Sequence, residues 1–188
     1  MRLFYALFPP AHVQQQLARA QEALGSYKGW KAVKPKQLHL TLLFLGEVEE
    51  GRLKELKEAG SEVSRRHAPF KVLIQGTGYF PANGSPRVWF AKAEASQLFP
   101  LAEDLRQALP QFAVDQDFKP HITLARKKNP APRTGPVVFD CEFAAQEFSL
   151  VQSELLPSGS EYQLLEKFSL AGPWGGTAVP HKERSYAG

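Results

Sequence analysis

Cysteine is nearly absent from this chain: its 188 residues include only Cys141. One thiol excludes an internal disulfide framework and a cysteine-built zinc site. Long apolar runs are missing too, and no stretch approaches the roughly 20 residues that a membrane helix needs. The opening Met1–Pro10 segment (MRLFYALFPP) is shorter than a secretory leader, and no small-residue cleavage site follows it. A cytoplasmic location with no membrane partner is therefore expected. Neither charge sign dominates. Lys and Arg number 23 against 19 Asp and Glu, a net charge of +4, which permits a phosphate-bearing partner without requiring one. With 43% apolar and 22% charged residues, the composition is that of a globular protein of one domain or two small lobes.

What is present reads as alternating helices and strands. Leu3–Phe8 is a short apolar run closed by Pro9 and Pro10, a buried strand. From His12 to Leu24, Val13, Leu17, Ala20 and Leu24 recur at helical spacing, and Gly25 ends the run. Lys28 to Lys36 reads as a loop with four lysines and no acid. Leu38–Leu45, Phe70–Ile74, Val88–Ala93, His121–Leu124, Val137–Phe143, Glu147–Leu155 and Tyr162–Leu170 read as strands. The last two are joined by a turn at Pro157–Ser160, and Gly76 to Pro86 reads as a connection. Glu50 to Arg66 and Gln97 to Leu109 carry one apolar stripe each and read as surface helices. The class is α+β with antiparallel sheet. The segment from Gly172 on is rich in Gly, Pro and polar residues and is expected to be a mobile tail outside the domain at 1–171.

Two short strands carry the same pattern, His39-Leu-Thr41-Leu and His121-Ile-Thr123-Leu. Random placement of five histidines and five threonines gives only about 0.13 His-x-Thr pairs in a chain of this length. In a strand, residues i and i+2 face the same way, roughly 6–7 Å apart, so one imidazole and one hydroxyl can reach the same small anion. The aliphatic residues between them anchor the strand in the core. Each copy follows an amphipathic helix, a weak internal repeat. Two such strands face to face would set an imidazole on either side of one ligand, one to hold a proton and one to take it. That pairing suits displacement at phosphorus. Neither copy supplies a second ligand at metal spacing, so no metal or other cofactor is expected.

Together with Phe80–Phe90 (FPANGSPRVWF), the segments His39–Val48 (HLTLLFLGEV) and Phe118–Arg126 (FKPHITLAR) resemble the bacterial RNA 2′,3′-cyclic phosphodiesterases. These belong to the two-histidine (2H) phosphoesterase superfamily and were first described as 2′-5′ RNA ligases. The resemblance covers about nine-tenths of the chain, up to the strand at Tyr162–Leu170. It implies a bilobal 2H phosphoesterase fold, two antiparallel sheets with outer helices related by a pseudo-two-fold about a central cleft. It also implies His39 as proton donor and His121 as proton acceptor. Thr41, Thr123 and Arg126 would be the phosphate-binding residues. The implied substrate is RNA with a 2′,3′-cyclic phosphate end, such as a tRNA half, or a small cyclic nucleotide. Opening it would leave a 2′-phosphomonoester. Ligation without ATP at the same site, or a binding module without catalysis, are the alternatives; a monomer is expected.

Lys28, Lys31, Lys34 and Lys36 precede the first motif, and Arg126, Lys127, Lys128 and Arg133 follow the second. Both clusters are placed to meet an RNA backbone. Phe44, Tyr79, Phe80, Trp89 and Phe118 are the candidates for stacking on bases, though most are expected in the core. Arg87 is placed either at the cleft or at a strand end. His12 and His67 are expected at the surface, His181 in the tail, and Cys141 as a small core residue.

Overall fold

The computed structural model describes residues 1–25, 29–112, 117–129, 132–157 and 159–173. Strand β1 (Arg2–Leu7) leads through Pro9 and Pro10 into helix α1 (Ala11–Gln21), whose Val13 and Leu17 are fully buried. β2 (Trp30–Ala32) and a 3₁₀ turn at Pro35–Gln37 precede β3 (Leu40–Glu47). Helix α2 (Leu53–Ser64) follows, then β4 (Phe70–Phe80), β5 (Val88–Glu94) and helix α3 (Leu98–Ala108). The chain continues through β6 (His121–Lys127), β7 (Val138–Ala145), β8 (Glu147–Leu156) and β9 (Gly159–Ser169).

The strands run in the order β7-β4-β5-β6-β3-β1-β8-β9, with β2 added to β6. Their pairs are antiparallel. This order makes two lobes of four strands, β7-β4-β5-β6 and β3-β1-β8-β9. They meet between β6 and β3, where the register holds one pair, Leu40 opposite Ile122. Both are fully buried. The lobes correspond around the motifs: each motif strand is flanked by the strand preceding the helix before it, β1 for β3 and β5 for β6, while β2 on β6 has no counterpart beside β3. The lobes are not the two halves of the chain, because β8 and β9 return to complete the first lobe.

One face of the sheets carries the main core beneath the helices. There α1 packs on β6 and β7, α2 on β8 and β9, and α3 on α2 and β3. Leu56, Val63, Leu101 and Leu105 are buried to zero exposure in that layer. Close packing of α2 on β9 depends on Gly60, where a Cβ would sit 2.6 Å from the Phe168 ring.

Three expectations need correction. Residues 30–32 are not loop: they pair with Ala125–Lys127, because Trp30 finds a buried site and donates its Nε1–H to the Pro132 carbonyl at 3.0 Å. β4 does not stop at Ile74 but runs to Phe80: Gly76 pairs with Val138 of β7 and Gly78 with Phe90 of β5, whose ring takes the room that a Cβ at Gly78 would fill. His67 is not at the surface: its side chain is only 13% exposed, and its Nε2 lies 2.8 Å from the Asp104 carboxylate. His12 is exposed and Cys141 half-buried against the core. At the start of the expected tail, the Gly172 N–H donates to the His67 carbonyl at 2.9 Å. Residues 174–188, including His181, lie outside the described residues, as do Lys28 and Ser158.

Candidate active site

The seam between the lobes sets the site. With Leu40 opposite Ile122 in antiparallel sense, His39 lies toward Thr123 and Thr41 toward His121. Alternation sends Leu40, Leu42, Ile122 and Leu124 into the core, and their neighbours His39, Thr41, His121 and Thr123 to the opposite, partly open face. The four residues singled out in the two motifs are thus gathered around one backbone pair.

A matching irregularity follows each threonine. Tyr5 pairs with Leu43 and Ala6 with Thr41, which leaves Leu42 as an extra residue on β3. Trp89 pairs with Ala125 and Phe90 with Thr123, which leaves Leu124 extra on β6. The last position of both motifs is therefore a β-bulge, and a bulge shifts the alternation beyond it by one. Ala125 is consequently buried and Arg126 exposed on the face of His121 and Thr123. An unbroken strand would turn Arg126 into the core. Phe44 holds the equivalent place in the first lobe.

Both imidazoles are held alike. His39 Nδ1 lies 2.7 Å from the Gln37 carbonyl and His121 Nδ1 lies 2.6 Å from the Lys119 carbonyl. A carbonyl only accepts, so each Nδ1 carries the proton, and each Nε2 has the free lone pair when the ring is neutral. The His39 ring packs among Phe4, Phe8 and Tyr162, with centroids 5.0, 5.6 and 5.2 Å away. His121 meets Phe80 at 4.9 Å and Phe90 at 5.3 Å, both edge to face. Phe80 and Phe90 stack at 4.1 Å, and Gly78 makes room for them, since a Cβ there would meet the Phe90 ring at 2.7 Å.

This packing acidifies both rings. Burial lowers the His39 pKa to about 4; the Gln37 hydrogen bond opposes the shift, while the charges of Arg126 and His121 add to it. Burial likewise lowers His121, with Arg126 contributing. Tyr162 is raised by burial, and Arg126 pulls it the other way. Arg126 thus acts electrostatically on both histidines and on Tyr162.

Of the basic residues, Lys34 and Lys36 line an open depression of about 600 Å³ beside the first motif, together with Pro35, Gln37, Glu161 and Tyr162. Lys31 pairs with Arg126 across β2 and β6. Arg133 serves structure instead: it donates to the carbonyls of Ala82 and Gly84 and stacks on Tyr79. Lys127 bonds Ser85, and Lys128 is exposed. Among the aromatic candidates, Trp89 is fully buried and Tyr79 bonds Thr134, whereas Phe118 packs on Phe99. Phe80 lies at the site, and Phe44 is 41% exposed. Arg87 is exposed at the start of β5, where its backbone joins Phe80 and Lys127.

Sequence reasoning missed Phe4, Phe8, Phe90, Tyr162 and Gln37. Phe4, Ala6 and Phe8 alternate with Leu3, Tyr5 and Leu7, so a two-faced strand was readable there. Which face fronts the cleft was not. Gln37 also ties its side-chain amide to the Ser160 carbonyl at 2.7 Å, linking the first motif to the hairpin that bears Tyr162. Among the described residues, no three His, Cys, Asp or Glu side chains converge at metal-ligand spacing, and no helix is long and apolar enough to cross a membrane.

A sequence model described as LigT-like phosphoesterase matches residues 7–90 and again 91–162, one copy for each motif. The chain belongs to the LigT-like phosphoesterase family. An RNA 2′,3′-cyclic phosphodiesterase of Thermus thermophilus is 52% identical, covering 93% of each chain. A crystal structure of a Thermus thermophilus protein matches with a TM-score of 0.88 and 51% identity, over 92% of this chain and 99% of that one. The Escherichia coli LigT complexed with 3′-AMP matches with a TM-score of 0.79 and 29% identity, over 90% and 97%. The bilobal architecture is that of the LigT-like phosphoesterases, and the twofold match of the family model falls on the two halves that each carry one His-x-Thr strand.

Proposed function

We propose that this phosphoesterase hydrolyses RNA 2′,3′-cyclic phosphate ends to 2′-phosphomonoesters, with His39 as proton donor and His121 as proton acceptor. The observation that carries the reading is the pair of Nδ1–carbonyl bonds, which leave both Nε2 atoms as the reactive nitrogens beside one seam. His121 Nε2 takes a proton from water as its oxygen attacks phosphorus. The P–O3′ bond breaks, and protonated His39 gives its Nε2 proton to the departing O3′. An imidazolium with a pKa near 4 is a strong acid toward an alkoxide. A bound phosphodiester anion raises that value by opposing Arg126, and so loads the donor. Thr41 and Thr123 donate their hydroxyl hydrogens to the nonbridging oxygens, and Arg126 offsets the charge that builds in the pentacoordinate transition state. Both proton transfers come from side chains of this chain, so neither a metal nor another cofactor enters. Both motifs lie in one polypeptide, which supports a monomer as the acting unit, in the cytoplasm, where RNA ends bearing a cyclic phosphate are the partner.

Phosphorus NMR on adenosine 2′,3′-cyclic phosphate tests this directly. The expected product is the 2′-monoester alone, with turnover reduced by about 10²–10⁴ in His39→Ala and in His121→Ala. A 3′-monoester, or undiminished turnover in both variants, refutes the assignment.

A further inference from the structure

The two lobes are alike in strands, bulges and histidines, yet differ in their cation. Where the second lobe has Arg126, the first has Phe44, and a guanidinium reaches it from another strand. Arg2 of β1 places its Cζ 5.0 Å from the Phe44 ring centroid. Glu47, opposite Arg2 on β3, turns its carboxylate to the N-terminal ammonium at 3.4 Å. The Arg2 side chain is exposed, and the ring beneath holds it by cation–π attraction.

Arg2 shares a face of β1 with Phe4, Ala6 and Phe8, two of which pack on His39. It stands two residues from Phe4, so roughly 6–7 Å further along the strand. Across the sheet, Arg2 pairs with Ser153, and Ser153 with Tyr162. The Tyr162 hydroxyl feels the charges of both Arg126 and Arg2. Tyr162 is therefore within electrostatic reach of both guanidiniums.

On the reading of the seam as the cyclic-phosphate site, we propose that Arg2, braced on Phe44, binds the phosphate on the 5′ side of the terminal nucleoside. The enzyme then selects ends of RNA chains over nucleoside 2′,3′-cyclic phosphates. A mononucleotide leaves Arg2 without an anion; a dinucleotide fills both cation sites at once.

The test compares kcat/KM on adenosine 2′,3′-cyclic phosphate and on the ApA dinucleotide ending in a 2′,3′-cyclic phosphate. In Arg2→Met the ratio of dinucleotide to mononucleotide should fall about tenfold, with Arg2→Lys intermediate. Phe44→Leu, which removes the ring under the guanidinium, should lower the same ratio by a smaller factor. The salt dependence of kcat/KM on the dinucleotide should become shallower by about 0.7 in logarithmic slope. An unchanged ratio in Arg2→Met, or equal losses on both substrates, overturns the proposal; activity on the mononucleotide also reports that the variant has folded. A wild-type enzyme inert toward both esters overturns the cyclic-phosphate reading itself, and this proposal with it.

Discussion

Replacing His39 by glutamine should flatten the acid side of the stability profile. In the unfolded chain His39 titrates near 6.5, while in the folded protein burial holds it to about 4. Between those values the unfolded state binds the extra proton, so stability falls as the pH falls from 6.5 toward 4 and this group contributes no further change below. Each pH unit in that window is worth 2.303RT, about 1.4 kcal/mol, so between pH 7.5 and 4.5 the imidazole accounts for about 2.5 kcal/mol of lost stability. Other titrating groups are common to wild type and His39→Gln, and the difference between their two losses isolates this ring. Urea unfolding of both proteins at the two pH values measures it, provided the slopes with urea match. The wild type should lose about 2.5 kcal/mol more than the variant. Parallel losses would refute the burial argument. The imidazole proton resonances supply a second check: the His39 midpoint should lie near 4 in the free protein and move upward when inorganic phosphate is added, because a bound anion offsets Arg126.

Three further outcomes follow from the same geometry. The pH profile of kcat/KM should be a bell centred on the acid side of 6.5, since both free rings are lowered, while the kcat optimum should lie at higher pH because the bound phosphodiester raises both; stopped assays across the pH range resolve the two. Thr123→Val keeps the shape of the strand but removes the hydroxyl, so kcat/KM on a cyclic nucleotide should drop by about 10- to 100-fold with the urea midpoint unchanged. Gly78→Ala puts a methyl group 2.7 Å from the Phe90 ring and should cost about 1–3 kcal/mol in urea unfolding, with lower turnover because Phe90 and Phe80 seat His121.

Much of the frame was legible in one dimension. Helices α1, α2 and α3 and most strands lie within a few residues of their apolar periodicity, because burying one face is what each element does. The strand at residues 30–32 was not legible, since three residues carry too little pattern and its pairing partner lies almost a hundred positions away. Gly76 and Gly78 looked like breakers and proved to be interior strand positions. A glycine written for a turn and a glycine written for a neighbouring ring look the same in sequence. Tyr162 and Phe4 were invisible as site residues for a related reason: an aromatic residue on a strand has two faces to choose from, and the choice is made by what packs against it.

The scarcity of cysteine and the pair of His-x-Thr strands were settled by the sequence itself. They excluded internal disulfides and cysteine-bound zinc, and they singled out two candidate proton-transfer groups, each sharing a face with a threonine because i and i+2 share a face in any strand. Tertiary structure decided the rest. Only the pairing of Leu40 with Ile122 brings the two imidazoles to one place. The paired bulges at Leu42 and Leu124 rest on cross-strand register, a property of two strands together, and they decide that Arg126 faces the site and that Phe44 takes its place in the other lobe. Burial among neighbouring rings, which no local pattern encodes, moves the histidines from their ordinary titration to the acid side.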